Sequence, residues 1–342
     1  MRVERVFWSA CWAGLCLSAV SHAAEQASFD CGKATTVIEK AICGDPALAA
    51  ADRKLAETYQ SALGKLSEEG HGSLRDGQRQ WLRLIRLVCD TSVLPKTVKT
   101  DQTPAKCLAD AYAERQTQLE MPTAAYGGIT IRRGERFEAA RSFDPEDSSG
   151  EHPGFSVLEE SFPQIDNPRN DADRAFNKAA QDFAKDVKLD AEGAADITAG
   201  YEVVSVSDKL ISINFETGMY GHGAAHPIGE SAMLNWLVAE GRPLNPDDIF
   251  VKGSGWRKFV IDRCRAELSK DEEYDVRRTG KVGDGPTRPE RWRFGKDGLT
   301  IHFNQYEVAS YAAGEPEVVI PWADLKPYLT AAGAALAGGS PM

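Results

Sequence analysis

Four of the six cysteines in the first third of the chain, at positions 31, 43, 89 and 107, follow an N-terminal segment typical of an export signal. A positively charged start, an apolar stretch and small residues up to position 24 predict a cleaved secretory signal over residues 1–24. An uncleaved membrane anchor is the alternative. Export would place the chain in the periplasm or outside the cell, where these cysteines are expected to form two disulfides.

The cysteine spacing favours local pairing, Cys31 with Cys43 and Cys89 with Cys107, although other pairings remain open. Each short loop closed in this way would stabilise the fold by about 3 kcal/mol. The spacings do not fit a zinc ribbon or zinc finger. Cys264, within a predicted helix over residues 256–268, would then be a buried free thiol.

Apolar periodicity predicts a small helical domain over residues 25–121. Helices are expected over residues 35–42, from Pro46 onward, over 74–89 and over 107–119, with Gly70–Gly72 breaking the second helix from the third. A helical domain of this size buries only a small core, so the disulfides would compensate.

Beyond it the pattern changes to mixed strands and helices. A linker with a possible first strand is predicted over residues 122–152, a second domain over 153–330, and a flexible tail over 331–342. Strands are expected at 155–162 (ending at Pro163), 200–206, 209–216, 229–238, 292–294, 298–303 and 317–321, with helices at 170–189 and 256–268. Because strands and helices do not alternate regularly, the predicted class is α+β with a mainly antiparallel sheet.

The N-terminal domain carries a cysteine frame with characteristic neighbours. They are Phe29-Asp30-Cys31, Glu39-Lys40-Ala41-Ile42-Cys43, Gln78-Arg79, Trp81-Leu82, Cys107-Leu108, Tyr112 and Arg115. This pattern resembles the LprI lysozyme-inhibitor family over residues 29–119. The resemblance implies a small helical exported module, some relatives of which inhibit lysozyme.

The second domain carries a different set of motifs. They are Tyr220-Gly221, Gly223, Ala225-His226-Pro227, Asn235-Trp236, Asp248-Ile249-Phe250, the run from Asn304 to Gly314, and Ile320-Pro321-Trp322. These residues resemble the C-terminal extracellular domain of the lysozyme-sensing anti-sigma factor RsiV over residues 153–330. The resemblance implies an α+β binding domain, which in the anti-sigma factor engages lysozyme.

Charge is concentrated in the second half of the chain. Residues 123–342 carry 25 basic and 36 acidic side chains, whereas residues 25–122 are nearly neutral. This balance argues against nucleic acid as a partner. An acidic surface would attract a basic protein, although acidity also serves solubility alone.

The stretch over residues 210–227 holds the strongest candidates for chemistry. Ile211, Ile213 and Phe215 alternate with polar residues as in a half-buried strand, and the glycine-rich second half predicts a hairpin or loop crossing a sheet edge rather than a continuing strand. His222 and His226 are spaced like the metal motif of polysaccharide deacetylases, which also needs a carboxylate on the same metal. Asp30 would be that carboxylate, but it belongs to the other domain.

We therefore expect an exported, non-enzymatic binding protein that recognises lysozyme or a related basic cell-wall hydrolase. No cofactor and no membrane span after signal cleavage are predicted. The candidate contact residues are Tyr220, His222, His226, Tyr306 and Tyr311. The alternatives are a metal-dependent cell-wall glycan deacetylase or hydrolase using His222 and His226, and an envelope assembly or structural factor.

Overall fold

The computed structural model describes residues 27–90, 103–120, 123–126, 128–140, 154–185, 188–189, 195–272, 274, 276 and 282–337. The predicted signal, part of the predicted linker and the last five residues lie outside these ranges. No helix in the described part of the chain combines the length and apolarity needed to cross a bilayer.

The N-terminal region is helical, as predicted. Its helices are α1 (Val37–Gly44), α2 (Pro46–Leu63), α3 (Glu68–Val88) and α4 (Pro104–Glu120). Asp45 ends the first helix and caps the next, because its carboxylate accepts hydrogen bonds from the backbone N–H groups of Ala47 and Leu48. Both local disulfides are confirmed, Cys31–Cys43 and Cys89–Cys107.

Helix α3 begins earlier than predicted, and the prediction that Gly70–Gly72 breaks the helices apart is wrong. The Ser67 hydroxyl caps the helix by accepting a hydrogen bond from the Gly70 N–H at 3.2 Å. Gly70 lies inside this helix, at a point where the side chain of Asp166 approaches the helix backbone closely. A Cβ at Gly70 would lie 2.6 Å from an Asp166 carboxylate oxygen. Gly70 therefore permits close packing.

The rest of the chain is built on a sheet that contains, within the described residues, seven strands in sequential order. The strands are β1 (Ala124–Tyr126), β2 (Ile129–Ala140), β3 (Ser156–Ile165), β4 (Ala195–Val206), β5 (Leu210–Gly221), β6 (Ile228–Leu237) and β7 (Arg242–Pro243). The β3–β4 pair is parallel and the other pairs are antiparallel. The predicted α+β class with a mainly antiparallel sheet is thus confirmed.

Three strands depart from the predicted pattern. The predicted linker, in which a possible first strand was expected, supplies both β1 and β2, and residues 131–140 of β2 pair with β3. Strand β3 also runs through Pro163, which was expected to end it. In the described chain β3 pairs with β4 only over residues 158–160, so Pro163 lies where that edge of β3 is open. Proline is tolerated at such an open edge.

Helix α5 (Asp171–Lys185) covers one face of the sheet. Its Phe176 packs edge-on against Trp236, in a core that also contains Ile211 and Ile213. The C-terminal part forms a second core around Phe250, Trp256 and Trp292. Its elements are α6 (Pro246–Ile249), α7 (Trp256–Leu268), β8 (Trp292–Phe294), β9 (Gly298–His302), β10 (Glu317–Pro321), α8 (Trp322–Leu325) and α9 (Ala331–Ala337).

Helix α9 occupies most of the segment predicted as a flexible tail. Gly333 packs so closely on α6 that an added Cβ would lie 2.3 Å from the Ile249 carbonyl oxygen. The contact is possible because Gly333 has no Cβ and its alanine neighbours are small. The apolar periodicity of the sequence does not reveal this contact. The free thiol of Cys264 is buried in α7, as expected.

Candidate binding site

The hairpin of β5 and β6 carries the first group of predicted contact residues. The expected hairpin is present, but strand β5 continues to Gly221, so the prediction that the strand ends at Glu216 is wrong and the chain turns back over residues 222–227. Met219, Tyr220 and Ile228 are 44%, 42% and 43% exposed near this turn. The hairpin therefore presents large apolar side chains to solvent, which is typical of interaction surfaces.

The two histidines of the turn have different partners. The His222 side chain is only 4% exposed, and its Nε2 lies 3.2 Å from the Asp196 carboxylate of β4. The His226 ring stacks instead on Tyr311, with ring centroids 3.8 Å apart. Among the described residues, no group of three or more His, Cys, Asp and Glu side chains is arranged to hold a metal ion. Asp30 caps a turn beside Cys31 in the helical region. This geometry does not favour the metal-dependent alternative.

His226, Tyr306 and Tyr311 form one cluster, which we call the aromatic cluster. The Tyr306 hydroxyl lies 3.4 Å from His226 Nε2, and the two tyrosine rings have centroids 6.0 Å apart. Tyr306 has a left-handed φ of 63° and is 53% exposed. A positive φ in a bulky residue is strained, and such strain concentrates at functional sites. The structure thus brings three predicted contact residues together.

Asn304 and Gln305 hold the loop of the aromatic cluster on the edge of β6, a role that the sequence analysis missed. The Asn304 side-chain oxygen accepts a hydrogen bond from the Ser231 N–H at 2.9 Å, and the Gln305 side-chain oxygen accepts one from the Gly229 N–H at 3.1 Å. These side-chain amides accept hydrogen bonds from backbone N–H groups of β6 with which a neighbouring strand would otherwise pair. In the sequence, the one signal for this role is the pair of adjacent amide residues directly before Tyr306.

A cleft of about 610 Å³ lies on the sheet face beside the hairpin. Its floor comes from β3, β4, β5 and β6, and helix α4 and the segment before β10 also line it. The described residues that line it are Glu114, Gln118, Arg133, Glu159, Ser161, Thr198, Ala199, Gly200, Glu216, Thr217, Gly218, Gly229, Glu230, Ser231 and Glu315. We call it the acidic cleft. Its lining residues lie far apart in the sequence, so no local pattern predicts this cleft.

The electrostatics of the acidic cleft are dominated by carboxylates. Among its described lining residues Arg133 is the one cation, and its Nε donates a hydrogen bond to Glu135 at 2.9 Å. Burial, together with the nearby Glu114 carboxylate, raises the pKa of Glu159 to about 7. The cleft therefore disfavours anions and would be stabilised by a cation.

Comparison with known proteins identifies two regions of the chain. Residues 31–119 match the family model described as "Lysozyme inhibitor LprI", and residues 247–323 match "Protein of unknown function (DUF3298)". The chain thus joins an LprI region to a DUF3298 region. The predicted resemblance of the helical domain to LprI is confirmed, whereas the likeness of the second domain to RsiV in particular stays a prediction.

Curated relatives support the first of these matches. The chain is 30% identical over 123 residues to proteins named "Lipoprotein LprI" from Mycobacterium bovis and Mycobacterium tuberculosis. The alignment covers 36% of this chain and 55% of each relative, so the chain spans about half the length of these proteins.

Solved DUF3298 family structures are similar to the chain at low identity. One from Bacteroides fragilis has a TM-score of 0.43 at 17% identity, and covers 61% of this chain and 96% of its own. One from Pseudomonas aeruginosa has a TM-score of 0.41 at 12% identity, and covers 60% and 95%.

Proposed function

We propose that this protein is an exported, non-enzymatic binding protein that recognises lysozyme or a related basic cell-wall hydrolase. The LprI match is the observation that carries the proposal, because the matched family is described as a lysozyme inhibitor. The contact surface that we assign comprises the exposed end of the β5–β6 hairpin and the aromatic cluster.

The physical character of this surface suits protein recognition. Tyr306 is held by a tilted ring contact with Tyr311 and by a loop that is hydrogen-bonded to β6, so it loses little conformational freedom on binding. Aromatic side chains on such supports commonly dominate binding energy. Tyr220 and Met219 extend the surface along the hairpin.

The charge of the second domain favours a basic partner. A surplus of acidic side chains over residues 123–342 creates a long-range field that accelerates encounter with a cationic protein. Salt screens this field, so the association rate should fall as ionic strength rises.

The non-enzymatic part of the proposal is supported by the surroundings of the reactive groups. His222 and His226 each have a partner other than a shared metal ion. Burial raises the pKa of the Cys264 thiol to about 12, which suppresses the thiolate that a nucleophilic cysteine needs.

Titration of the mature chain with c-type lysozyme, followed by calorimetry and by lytic activity, tests the proposal. Tyr306→Ala and Tyr220→Ala are each expected to weaken binding by about 1 to 2 kcal/mol. Val319→Ala, at an exposed position on β10, is the matched control and should leave affinity unchanged. Absence of binding at micromolar concentration and low salt, with lytic activity undiminished, would contradict the proposal.

A further inference from the structure

The acidic cleft is an open stretch of sheet face between two walls, and neither the exposed end of the β5–β6 hairpin (Met219, Tyr220 and Ile228) nor the aromatic cluster lines it. We infer that it receives one basic side chain, an arginine or a lysine, projecting from a protein partner. The inference rests on the proposed function in that the partner is taken to be a basic protein.

The shape of the floor suits a side chain that arrives from outside. Gly218 of β5 pairs with Gly229 of β6, and on the neighbouring strand β4 Gly200 also lacks a side chain. A Cβ added at Gly200 would meet no atom within 4 Å, so the space above it is open. An incoming chain can therefore reach the backbone of the sheet here.

The charges lining the cleft specify a cation as the occupant. Glu159, Glu216 and Glu315 come from three different segments of the second domain. Among the described residues, the Glu159 carboxylate forms no ion pair and no hydrogen bond, although it is half-buried. An apolar or anionic occupant would give this carboxylate no compensation beyond the fields of Arg115 and Arg133, whereas a guanidinium or ammonium group would supply donors and charge together.

Both halves of the chain contribute to the cleft. Glu114 and Gln118 belong to α4 of the LprI region, while Glu315 belongs to the C-terminal part. Arg115, which lies between the two α4 residues, donates hydrogen bonds to Gln118 and to Glu135 of strand β2. This arrangement positions the α4 wall on the sheet, so a side chain in the cleft would contact both regions at once.

A steric variant tests the inference without removing any charge. Gly200→Leu places a side chain in open space within the cleft, and Gly72→Leu makes the same change on the exposed face of α3, where a Cβ also meets nothing within 4 Å. With c-type lysozyme as the probe, Gly200→Leu should weaken binding by about tenfold or more, and Gly72→Leu by no more than about twofold. Equal affinities for Gly200→Leu and the wild type would overturn the inference while leaving the proposed function intact.

A charge variant and a peptide probe complete the test. Combined Glu114→Gln and Glu159→Gln should weaken lysozyme binding and reduce its salt dependence, whereas the exposed Glu57→Gln should not.

The peptide acetyl-Gly-Arg-Gly-amide should shift the amide NMR signals of Gly200, Gly218 and Gly229, and acetyl-Gly-Gln-Gly-amide should not. Peptide shifts at these glycines without lysozyme binding would support the cleft and reject the proposed function. Shifts confined to other glycines, or equal for both peptides, would overturn the cleft assignment.

Discussion

Arg115 of α4 and Glu135 of β2 form a two-pronged ion pair, in which Nη1 and Nη2 each donate to one carboxylate oxygen, at 2.7 and 2.9 Å. The two side chains are 0% and 4% exposed. Gly77 of α3 allows the approach, since a Cβ there would lie 2.6 Å from a Glu135 oxygen. Burial opposes ionisation of Glu135, but Arg115 and Arg133 outweigh it and lower its pKa. This pair fixes the helical region on the sheet.

Removal of one member of this pair is expected to be strongly destabilising. Arg115→Ala leaves the Glu135 charge buried, so the free energy of unfolding should fall by about 3 to 5 kcal/mol. The double variant Arg115→Met, Glu135→Leu should recover part of that loss, because the buried pair is removed together, while Arg133 loses its carboxylate partner but keeps some contact with solvent.

Urea unfolding followed by circular dichroism measures both effects. Arg79→Ala is the control, because its pair with Asp76 is exposed and should contribute less than about 1 kcal/mol. If Arg115→Ala is no worse than Arg79→Ala, the pair does not hold the two regions together.

Glu159 should give stability a distinctive pH dependence. Its pKa is raised from 4.5 to about 7 on folding, so between these values the folded chain keeps a proton that the unfolded chain releases. Stability contributed by this group therefore falls as pH rises from 4.5 to 7 and stays low above that. Glu159→Gln should be more stable than the wild type at pH 8 by roughly 1 to 3 kcal/mol and similar to it at pH 4.5.

Denaturant midpoints at pH 4.5 and pH 8 measure this difference. Glu57→Gln, at an exposed position, should shift the midpoint little at either pH. A Glu159→Gln variant that gains nothing at pH 8 would show that the carboxylate is adequately solvated in the cleft.

Much of the fold could be predicted because local signals agreed with it. Helix α7 and strand β8 occur over the predicted residues, since apolar period and flanking turn residues both mark their ends. Helix α3 and strand β3 were misjudged where glycine or proline indicated a break. In each case a tertiary feature decides the outcome: the close approach of Asp166 to Gly70, and the open strand edge at Pro163.

Local sequence signals predict even less of the candidate site than of the fold, because tertiary contacts assemble it. The motifs around His226 and Tyr311 indicated a contact surface, and the structure stacks these two rings. The acidic cleft was missed because its parts are separated in sequence, from Glu114 to Glu315. Only the pairing of strands brings Gly218 beside Gly229, and no local pattern encodes that neighbourhood.

Cys264 should be chemically silent in the folded protein. Because the thiol is buried and its pKa is raised to about 12, Ellman's reagent should detect no thiol in the native mature chain. In guanidinium chloride without reductant, one thiol should appear, since the other mature cysteines form disulfides. Fast native labelling would show that α7 opens locally, and more than one thiol in denaturant would contradict the disulfide pairing.

Loss of the amide anchors should loosen the aromatic cluster without unfolding the sheet. Asn304→Ala with Gln305→Ala removes the acceptors for the Ser231 and Gly229 N–H groups, at an expected cost of about 1 kcal/mol each. Hydrogen exchange at these two amides should accelerate, while the Trp236 amide, in the fully paired part of β6, should exchange as before. Lysozyme affinity should fall along with the exchange protection, because Tyr306 would no longer be held in place. Unchanged exchange at Ser231 and Gly229 would mean that water replaces the side chains at no cost, and that the loop is held by the stacked rings of His226 and Tyr311 alone.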